Sequence, residues 1–275
     1  MAEVVLHNDS QRITFNLDQG GRAVSWQVNG QEVLAHVGSH PVQNGMYPMV
    51  PWAGRLRDNR VTAQTAARNG LSQDADFDPP INFMEWAIHG TVLDREVDSW
   101  ELLDSEFRAS QVIKGTPWEG QVNFTWRMSD LSLITEIEVF TPKAMPAVVG
   151  WHPYFLKVLW GGAAQWEAPG AQIATRVGAF ADGSLNDWKP GSSTVDDAFF
   201  VPNRELTVQW GSVAQLTARN SHPWFVVFDE LDDAICIEPQ TAPPNALANP
   251  IGGPAPIARA NEPVRMTTDW VWSFS

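Results

Sequence analysis

Three residues in this chain combine a side chain that can exchange protons with neighbours that could exclude water. His152 lies in the segment GWHPYF, His89 in IHG, and Glu238 in IEPQT. An imidazole has an unperturbed pKa of about 6.5, so it can give or take a proton near neutral pH. Partial burial would raise the pKa of a carboxyl such as Glu238 toward the range of a general base. Together the three groups predict proton-transfer chemistry.

Each of these groups also has a plainer interpretation. The proline after His152 biases that residue toward an extended or turn backbone, which would fix the imidazole, but a core histidine bonded to a backbone carbonyl also fits. Glu238 follows a short apolar strand at residues 235–237, so we expect its carboxylate at a strand end, facing a pocket mouth. A charge on an edge strand that serves solubility is the alternative. A lone histidine before glycine, as at His89, is common in turns.

Other residues could bind a ligand beside these groups. The planar guanidinium of Arg55 could donate to ligand oxygens, or it could be solvated. Asp196 forms an acidic pair with Asp197, and such a pair usually lies in a turn. Most of the 14 tryptophans suit strands and a core. The ones nearest the arginine and histidine motifs are candidates for lining a pocket: Trp52, Trp86 and Trp151.

Charge and composition exclude several classes of partner. The chain has 275 residues, of which 32 are acidic and 18 basic, and a net charge of −14, which opposes binding to nucleic acid and to anionic membranes. The single cysteine, Cys236, cannot form an intramolecular disulfide. The N-terminus lacks a secretory pattern, and no stretch approaches about 20 consecutive apolar residues. We expect a cytoplasmic protein without a membrane segment, either a monomer or a homodimer.

The apolar pattern predicts strands almost throughout. Apolar residues alternate with polar ones in the segments 12–17, 122–128, 131–139 and 206–210, and apolar runs occur at 225–228, 235–237 and 270–274. No helical pattern persists for three turns. The 20 glycines and 20 prolines occur at short intervals, as turns require. These features predict one all-β domain over residues 1–275, a large antiparallel β-sandwich with long loops at 64–80 and 245–263.

Six short motifs, taken in order, resemble the aldose 1-epimerase (galactose mutarotase) family over about residues 12–248. They are GGRAVSW from Gly20 with Asn29-Gly30, YPMVPWAGR from Tyr47, HG from His89, HPYF from His152, DDAF from Asp196 and EPQT from Glu238. The resemblance implies a large antiparallel β-sandwich (the mutarotase-like supersandwich) with an open cleft. It also implies an enzyme that interconverts the α and β anomers of free aldoses with no metal and no organic cofactor.

The resemblance assigns a role to each site residue. By position, His152 resembles the general acid that protonates the ring oxygen, and Glu238 the general base that removes the proton from the C1 hydroxyl. His89 and Arg55 match residues that hold sugar oxygens. Asp196 matches the carboxylate that accepts hydrogen bonds from sugar hydroxyls.

The chain departs from the family at one position, and three alternatives stay open. Gly54 stands where the family commonly has asparagine, so one side chain that could contact the sugar is missing. No convincing cationic phosphate site is found, which favours a free sugar over a hexose 6-phosphate. A non-catalytic carbohydrate-binding protein on the same fold is the second alternative. The third is a metal site of two histidines and one carboxylate, formed by His89, His152 and Glu238.

Overall fold

Antiparallel β-structure accounts for nearly all regular structure in this protein. The computed structural model describes residues 3–61, 75–76, 87–113, 119–191, 193–248, 251, 253 and 255–275. Within these ranges there is no α-helix. Four short 3-10 turns lie at Leu17–Gln19, Pro41–Gln43, Arg57–Asn59 and Val92–Asp94.

The strands are numbered along the chain. The first thirteen are β1 (Glu3–His7), β2 (Gln11–Asn16), β3 (Arg22–Val28), β4 (Gln31–Glu32), β5 (Met46–Met49), β6 (Arg55–Leu56), β7 (Arg60–Val61), β8 (Ala75–Asp76), β9 (Ala87–Ile88), β10 (Ser99–Leu102), β11 (Glu106–Ile113), β12 (Gly120–Ser129) and β13 (Ser132–Phe140). The others are β14 (Met145–Pro146), β15 (Gly150–Leu156), β16 (Val158–Leu159), β17 (Gly162–Glu167), β18 (Gln172–Val177), β19 (Phe180–Asp187), β20 (Asp196–Phe200), β21 (Glu205–Trp210), β22 (Ala214–Asn220), β23 (Trp224–Phe228), β24 (Ala234–Gln240), β25 (Ile257–Ala258) and β26 (Val264–Phe274).

Two large sheets organise these strands. The first has eleven strands in the order β1-β2-β3-β5-β15-β24-β23-β20-β18-β19, with β4 beside β3. The second has nine, in the order β10-β11-β12-β13-β26-β22-β21-β17-β16. Three two-stranded ribbons pair β14 with β25, β6 with β9 and β7 with β8.

The period-two pattern has a direct structural cause in β12. Val122, Phe124, Trp126 and Met128 are all buried, and the residues between them are not. Successive side chains of a strand point to opposite faces, so these four share the face that packs on the core. The strands expected from alternation and from apolar runs are all present.

Aromatic side chains join the two sheets. Phe15 of the first sheet stacks on Phe107 of the second, with ring centroids 4.2 Å apart. Trp151 meets Trp126 edge to face at 4.7 Å, and Phe155 lies 6.0 Å from Trp270. Burying large rings between two sheets is a strong apolar contribution to folding. The prediction of an all-β sandwich is therefore confirmed.

The two predicted loops, 64–80 and 245–263, lie only partly within the described residues. Most of residues 64–80 lie outside the described residues, as does Trp86; within that segment, β8 pairs with β7. The stretch 245–263 is not purely loop, because β25 pairs with β14. Among the residues with assigned structure, no helix has both the length and the apolar character needed to cross a bilayer.

Candidate active site

His152 and Glu238 lie opposite each other on neighbouring central strands. In the antiparallel pairing of β15 with β24, Tyr154 is the partner of Cys236, and two residues back along β15 this register aligns His152 with Glu238. Side chains opposite each other across such a pair share one face of the sheet. The result is a distance of 3.3 Å between Nε2 of His152 and Oε1 of Glu238.

The same alternation gives the sheet a chemical face and a core face. His152 lines a cleft, whereas Trp151, one residue earlier, is fully buried between the sheets. On the next strands, Phe228 lies opposite both Cys236 and Asp196, so Asp196 belongs to the same face as His152. The cleft has a volume of about 340 Å³, within the range of small-molecule sites.

All five residues predicted for the site line this cleft. Its walls also include several apolar and polar side chains that the sequence did not single out. The lining residues are Val37, Val42, Gln43, Gly54, Arg55, Ile88, His89, His152, Tyr154, Asp196, Val226, Phe228, Glu230, Leu231, Glu238 and Pro244.

Two tyrosines hold the His152 ring in place. The imidazole stacks on Tyr47, at 4.9 Å and 19°, and on Tyr154, at 4.7 Å and 21°. Both phenol groups donate to the carbonyl oxygen of Val42, at 2.8 and 3.0 Å, which fixes the tyrosines themselves. The ring of His89 meets that of His152 edge to face at 4.7 Å. Three ring contacts thus hold the plane of His152.

His89 is positioned by a short ribbon and a glycine. Ile88 of β9 pairs with Arg55 of β6, and the backbone N–H of His89 donates to the Gly54 carbonyl at 3.1 Å. His89 has a left-handed backbone with φ of 58°. A Cβ at Gly90 would lie 1.8 Å from the Val50 carbonyl oxygen, so only glycine allows this close approach.

The structure also accounts for Gly54, the departure from the family pattern. Gly54 has a φ of 71°, and a Cβ there would lie 2.5 Å from the ring of Pro244. Pro244 lines the cleft. Its ring occupies the space that the Cβ of any other residue at position 54 would need.

Asp196 belongs to a network of ion pairs at the cleft. Arg55 Nη2 donates to Asp196 Oδ2 at 2.9 Å. Arg176 Nη1 lies 3.7 Å from the same oxygen, and its Nε lies 2.7 Å from Oδ1 of Asp197. A shift in register between β18 and β19 occurs at Arg176, and such bulges re-aim side chains. Two arginines and two aspartates therefore balance in charge.

A further carboxylate anchors the beginning of β20, where Asp196 lies. Oδ1 of Asp229 accepts the Val195 N–H at 2.6 Å, and Oδ2 accepts the indole N–H of Trp166 at 3.0 Å. The backbone N–H of Asp229 donates to the Val195 carbonyl at 2.9 Å. Asp229 thus fixes the residue that precedes Asp196.

Burial controls the ionisation of the central groups. It lowers the pKa of His152 well below its usual value, and His89 lowers it further. It raises the pKa of Glu238 well above its usual value, and Asp196 adds to this effect. Burial, with the charge of Arg55, lowers the pKa of His89 to about 3. In the free protein these shifts favour the neutral form of both histidines and the protonated form of Glu238.

Some expectations about these residues are wrong. Glu238 does not end a strand, because β24 continues to Gln240 and the carboxylate is 3% exposed, at the floor of the cleft. The acidic pair beginning at Asp196 starts a strand rather than forming a turn. Trp52 and Trp151 are buried and are not cleft-lining residues.

Sequence patterns did not identify several residues that shape the site. Tyr154 lies two positions after His152, and Cys236 two positions before Glu238, so strand alternation could have placed both on the chemical face. Arg176 and Asp229 carry no such signal, because their partners are distant in sequence.

The predicted metal site of His89, His152 and Glu238 differs from the cluster in the structure. Among the described residues, the potential metal ligands that lie within 4.8 Å of one another are those of His152, Cys236 and Glu238, a set without His89.

No family model and no curated protein matches this sequence. Solved structures do match it. A candidate aldose 1-epimerase from Escherichia coli K12 aligns with a TM-score of 0.81 and 17% identity over 100% of this chain and 99% of its own. A galactose mutarotase-like protein from Clostridium acetobutylicum gives 0.79 and 14% over 98% and 95%. An aldose epimerase homologue from C. elegans gives 0.79 and 14% over 99% of each chain. This chain therefore has the fold of the galactose mutarotase-like proteins.

Proposed function

We propose that this protein is an aldose 1-epimerase, which interconverts the α and β anomers of a free aldose. The observation that carries the proposal is the opposed pair of His152 and Glu238, 3.3 Å apart at the floor of the cleft. The mutarotase-like fold supports it, and so does the position of Arg55, His89 and Asp196 around the same cleft.

The reaction needs two groups of opposite function. Opening a cyclic hemiacetal removes the proton of the C1 hydroxyl while the ring oxygen gains one. In our proposal Glu238 accepts the first proton and His152 donates the second. Rotation about the bond between C1 and C2 then exposes the other face of the aldehyde, and closure reverses both transfers. Each positioned group contributes about 10²–10⁴ in rate.

The ionisation of the free pair is compatible with these roles. Burial favours the protonated form of Glu238 and the neutral form of His152 when no sugar is bound. Sugar hydroxyls that donate to the carboxylate would stabilise its charged form and lower its pKa. The proton then passes to His152, which lies within 3.3 Å. Binding of the sugar would thus prepare the acid and the base together.

The charge around the cleft favours a neutral sugar. Arg55 and Arg176 are both engaged with the carboxylate of Asp196, and Arg176 also with Asp197. A phosphate placed against these arginines would face the two carboxylates as well. Hydroxyl groups, which both donate and accept, match such a mixed set of partners.

The test is the rate of anomer exchange measured by NMR on a panel of aldoses and aldose 6-phosphates. We expect at least one free aldose to exchange faster with the protein than in buffer, and the phosphorylated sugars to exchange at the buffer rate. His152→Gln and Glu238→Gln, checked for folding by circular dichroism, should lose the acceleration. If a sugar binds by calorimetry but its exchange stays at the buffer rate, the protein is a carbohydrate-binding protein and not an epimerase.

A further inference from the structure

The only cysteine of the chain lies against the proposed catalytic pair. Cys236 is fully buried on the same face of β24 as Glu238, since the two are separated by one residue. Its backbone partner on β15 is Tyr154. One ligand atom from each of Cys236, Glu238 and His152 lies within 4.8 Å of the other two. A thiol, a carboxyl and an imidazole therefore converge on one point.

This set of donors is typical of a thiophilic divalent cation. Zinc binds thiolate, imidazole and carboxylate at about 2.0–2.3 Å, which in a tetrahedral site puts the ligand atoms about 3.3–3.8 Å apart. The observed convergence needs side-chain movements of about 1 Å to reach that geometry. Hard cations such as Mg²⁺ prefer oxygen ligands and waters, and they gain little from a thiol.

The histidine is free to act as a ligand. Nε2 of His152 faces Glu238, and its Nδ1 is buried with no hydrogen-bond partner among the described residues. In the tautomer that carries the ring proton on Nδ1, Nε2 presents its lone pair toward Glu238 and can bind an ion. His152 and Glu238 line the cleft, which gives an ion from solvent a path to the site.

We propose that a thiophilic divalent cation of the zinc class binds across His152, Cys236 and Glu238 and inhibits the enzyme. The cation would displace the thiol proton and the acidic proton of the catalytic pair, both released to solvent, with no change in oxidation state. A water or a sugar hydroxyl would complete the coordination on the cleft side. The predicted inhibition rests on the proposed function, because the ion would occupy both proton-transfer groups. Binding of the ion does not depend on that function.

Binding is tested by titrating the full-length protein with Co²⁺ and recording the absorption spectrum. A cobalt–thiolate charge-transfer band can arise only from Cys236, because the chain has one cysteine. We expect the band together with the visible bands of four-coordinate cobalt, displaced by Zn²⁺ and unaffected by Mg²⁺. Cys236→Ser should abolish the charge-transfer band, and Glu238→Gln should weaken cobalt binding at least tenfold. His222→Asn, a histidine outside the cleft, is the matched control and should keep the full spectrum.

Inhibition is tested by the anomer exchange rate with increasing Zn²⁺, expressed relative to the same variant without metal. The concentration that halves this rate should be at least tenfold higher for Cys236→Ser than for the unmodified protein, and a chelator should restore activity. Absence of the charge-transfer band in the unmodified protein overturns the metal site, whatever the activity. If no sugar is accelerated, the proposed function fails, and the cobalt spectrum still decides whether the site exists.

Discussion

At the scale of single residues, His152 and Glu238 are close enough to titrate as a coupled pair. Burial drives both toward their neutral forms, and the distance of 3.3 Å permits direct transfer between them. The two groups are therefore expected to act as a unit in catalysis, and neither should retain its function without the other.

A double-mutant cycle tests this coupling. We expect His152→Gln and Glu238→Gln each to lower kcat by about 10²–10⁴, and the double variant to be no slower than the worse single variant. The measurement is the NMR exchange rate at saturating sugar. Independent effects, in which the two losses multiply, would contradict a shared function.

His89 should make stability depend on pH. Its pKa in the folded protein is lowered to about 3, while in the unfolded chain it is about 6.5. Below pH 6.5 the unfolded state takes up a proton that the folded state does not, so this contribution to stability is lost as pH falls from 6.5 toward 3. Glu238 acts with the opposite sign: its raised pKa adds stability at low pH that is lost as pH rises above about 4.5.

His89→Asn separates these two contributions. Asparagine tolerates the left-handed backbone at position 89, and it does not titrate. Urea unfolding between pH 7 and pH 4 should show a shallower fall in stability for the variant. The slope should differ by less than about 1.4 kcal/mol per pH unit, because one histidine binds at most one proton more in the unfolded state than in the folded state. Identical slopes would mean that the pKa of His89 is close to its usual value.

At the scale of elements, the beginning of β20 depends on Asp229. This side chain accepts hydrogen bonds from Val195 and from the Trp166 indole, and Val195 directly precedes Asp196. Strand β20 therefore has a support outside its own sheet ladder, placed directly before Asp196, the carboxylate that we propose binds the sugar.

Asp229→Asn should affect binding more than chemistry. The amide keeps one acceptor but its NH₂ group faces a donor, so we expect about 1–3 kcal/mol lower stability and a KM several-fold higher, with a smaller change in kcat. Steady-state kinetics and urea unfolding provide the two measurements. Asp232→Asn, at an exposed position nearby, is the control. A loss confined to kcat would place Asp229 in the chemistry instead.

Sequence patterns predicted the strands but not all of the residues at which they end. Alternation identified β12 and β13, because one face of each packs on the core. It ended β24 too early at Ile237, since Pro239 lacks an N–H and usually stays out of central strands. In this sheet Pro239 remains inside the strand, opposite Phe225.

Contacts between residues that are distant in sequence could not be predicted. The pairing of Arg176 with Asp197, and the support of β20 by Asp229, depend on where the sheet brings separate strands together. No local period encodes such contacts. The five residues predicted for the site were chosen through the motif order, and the side chains that position them became visible only in the fold.

At the scale of the whole molecule, stability and chemistry are divided between the two faces of the first sheet. Trp151 packs on Phe124 and Trp126 of the opposite sheet, whereas His152 next to it faces the cleft. We expect Trp151→Ala to lower the free energy of unfolding by about 3–5 kcal/mol. His152→Gln should lower it by much less, because the glutamine keeps a polar group at the cleft. Urea unfolding of both variants measures the difference, and similar losses would contradict the division.

This division limits how the cleft can change during evolution. Because the residues of β15 alternate between core and cleft, a single-residue insertion or deletion at the beginning of Gly150–Leu156 that shifts the residues after it would exchange their side chains between the two faces. Trp151 would enter the cleft and His152 the core, so both folding and activity would be lost in one step. Substitutions at alternate positions and changes in the loops can therefore alter what the cleft binds, while the length of the central strands stays constant.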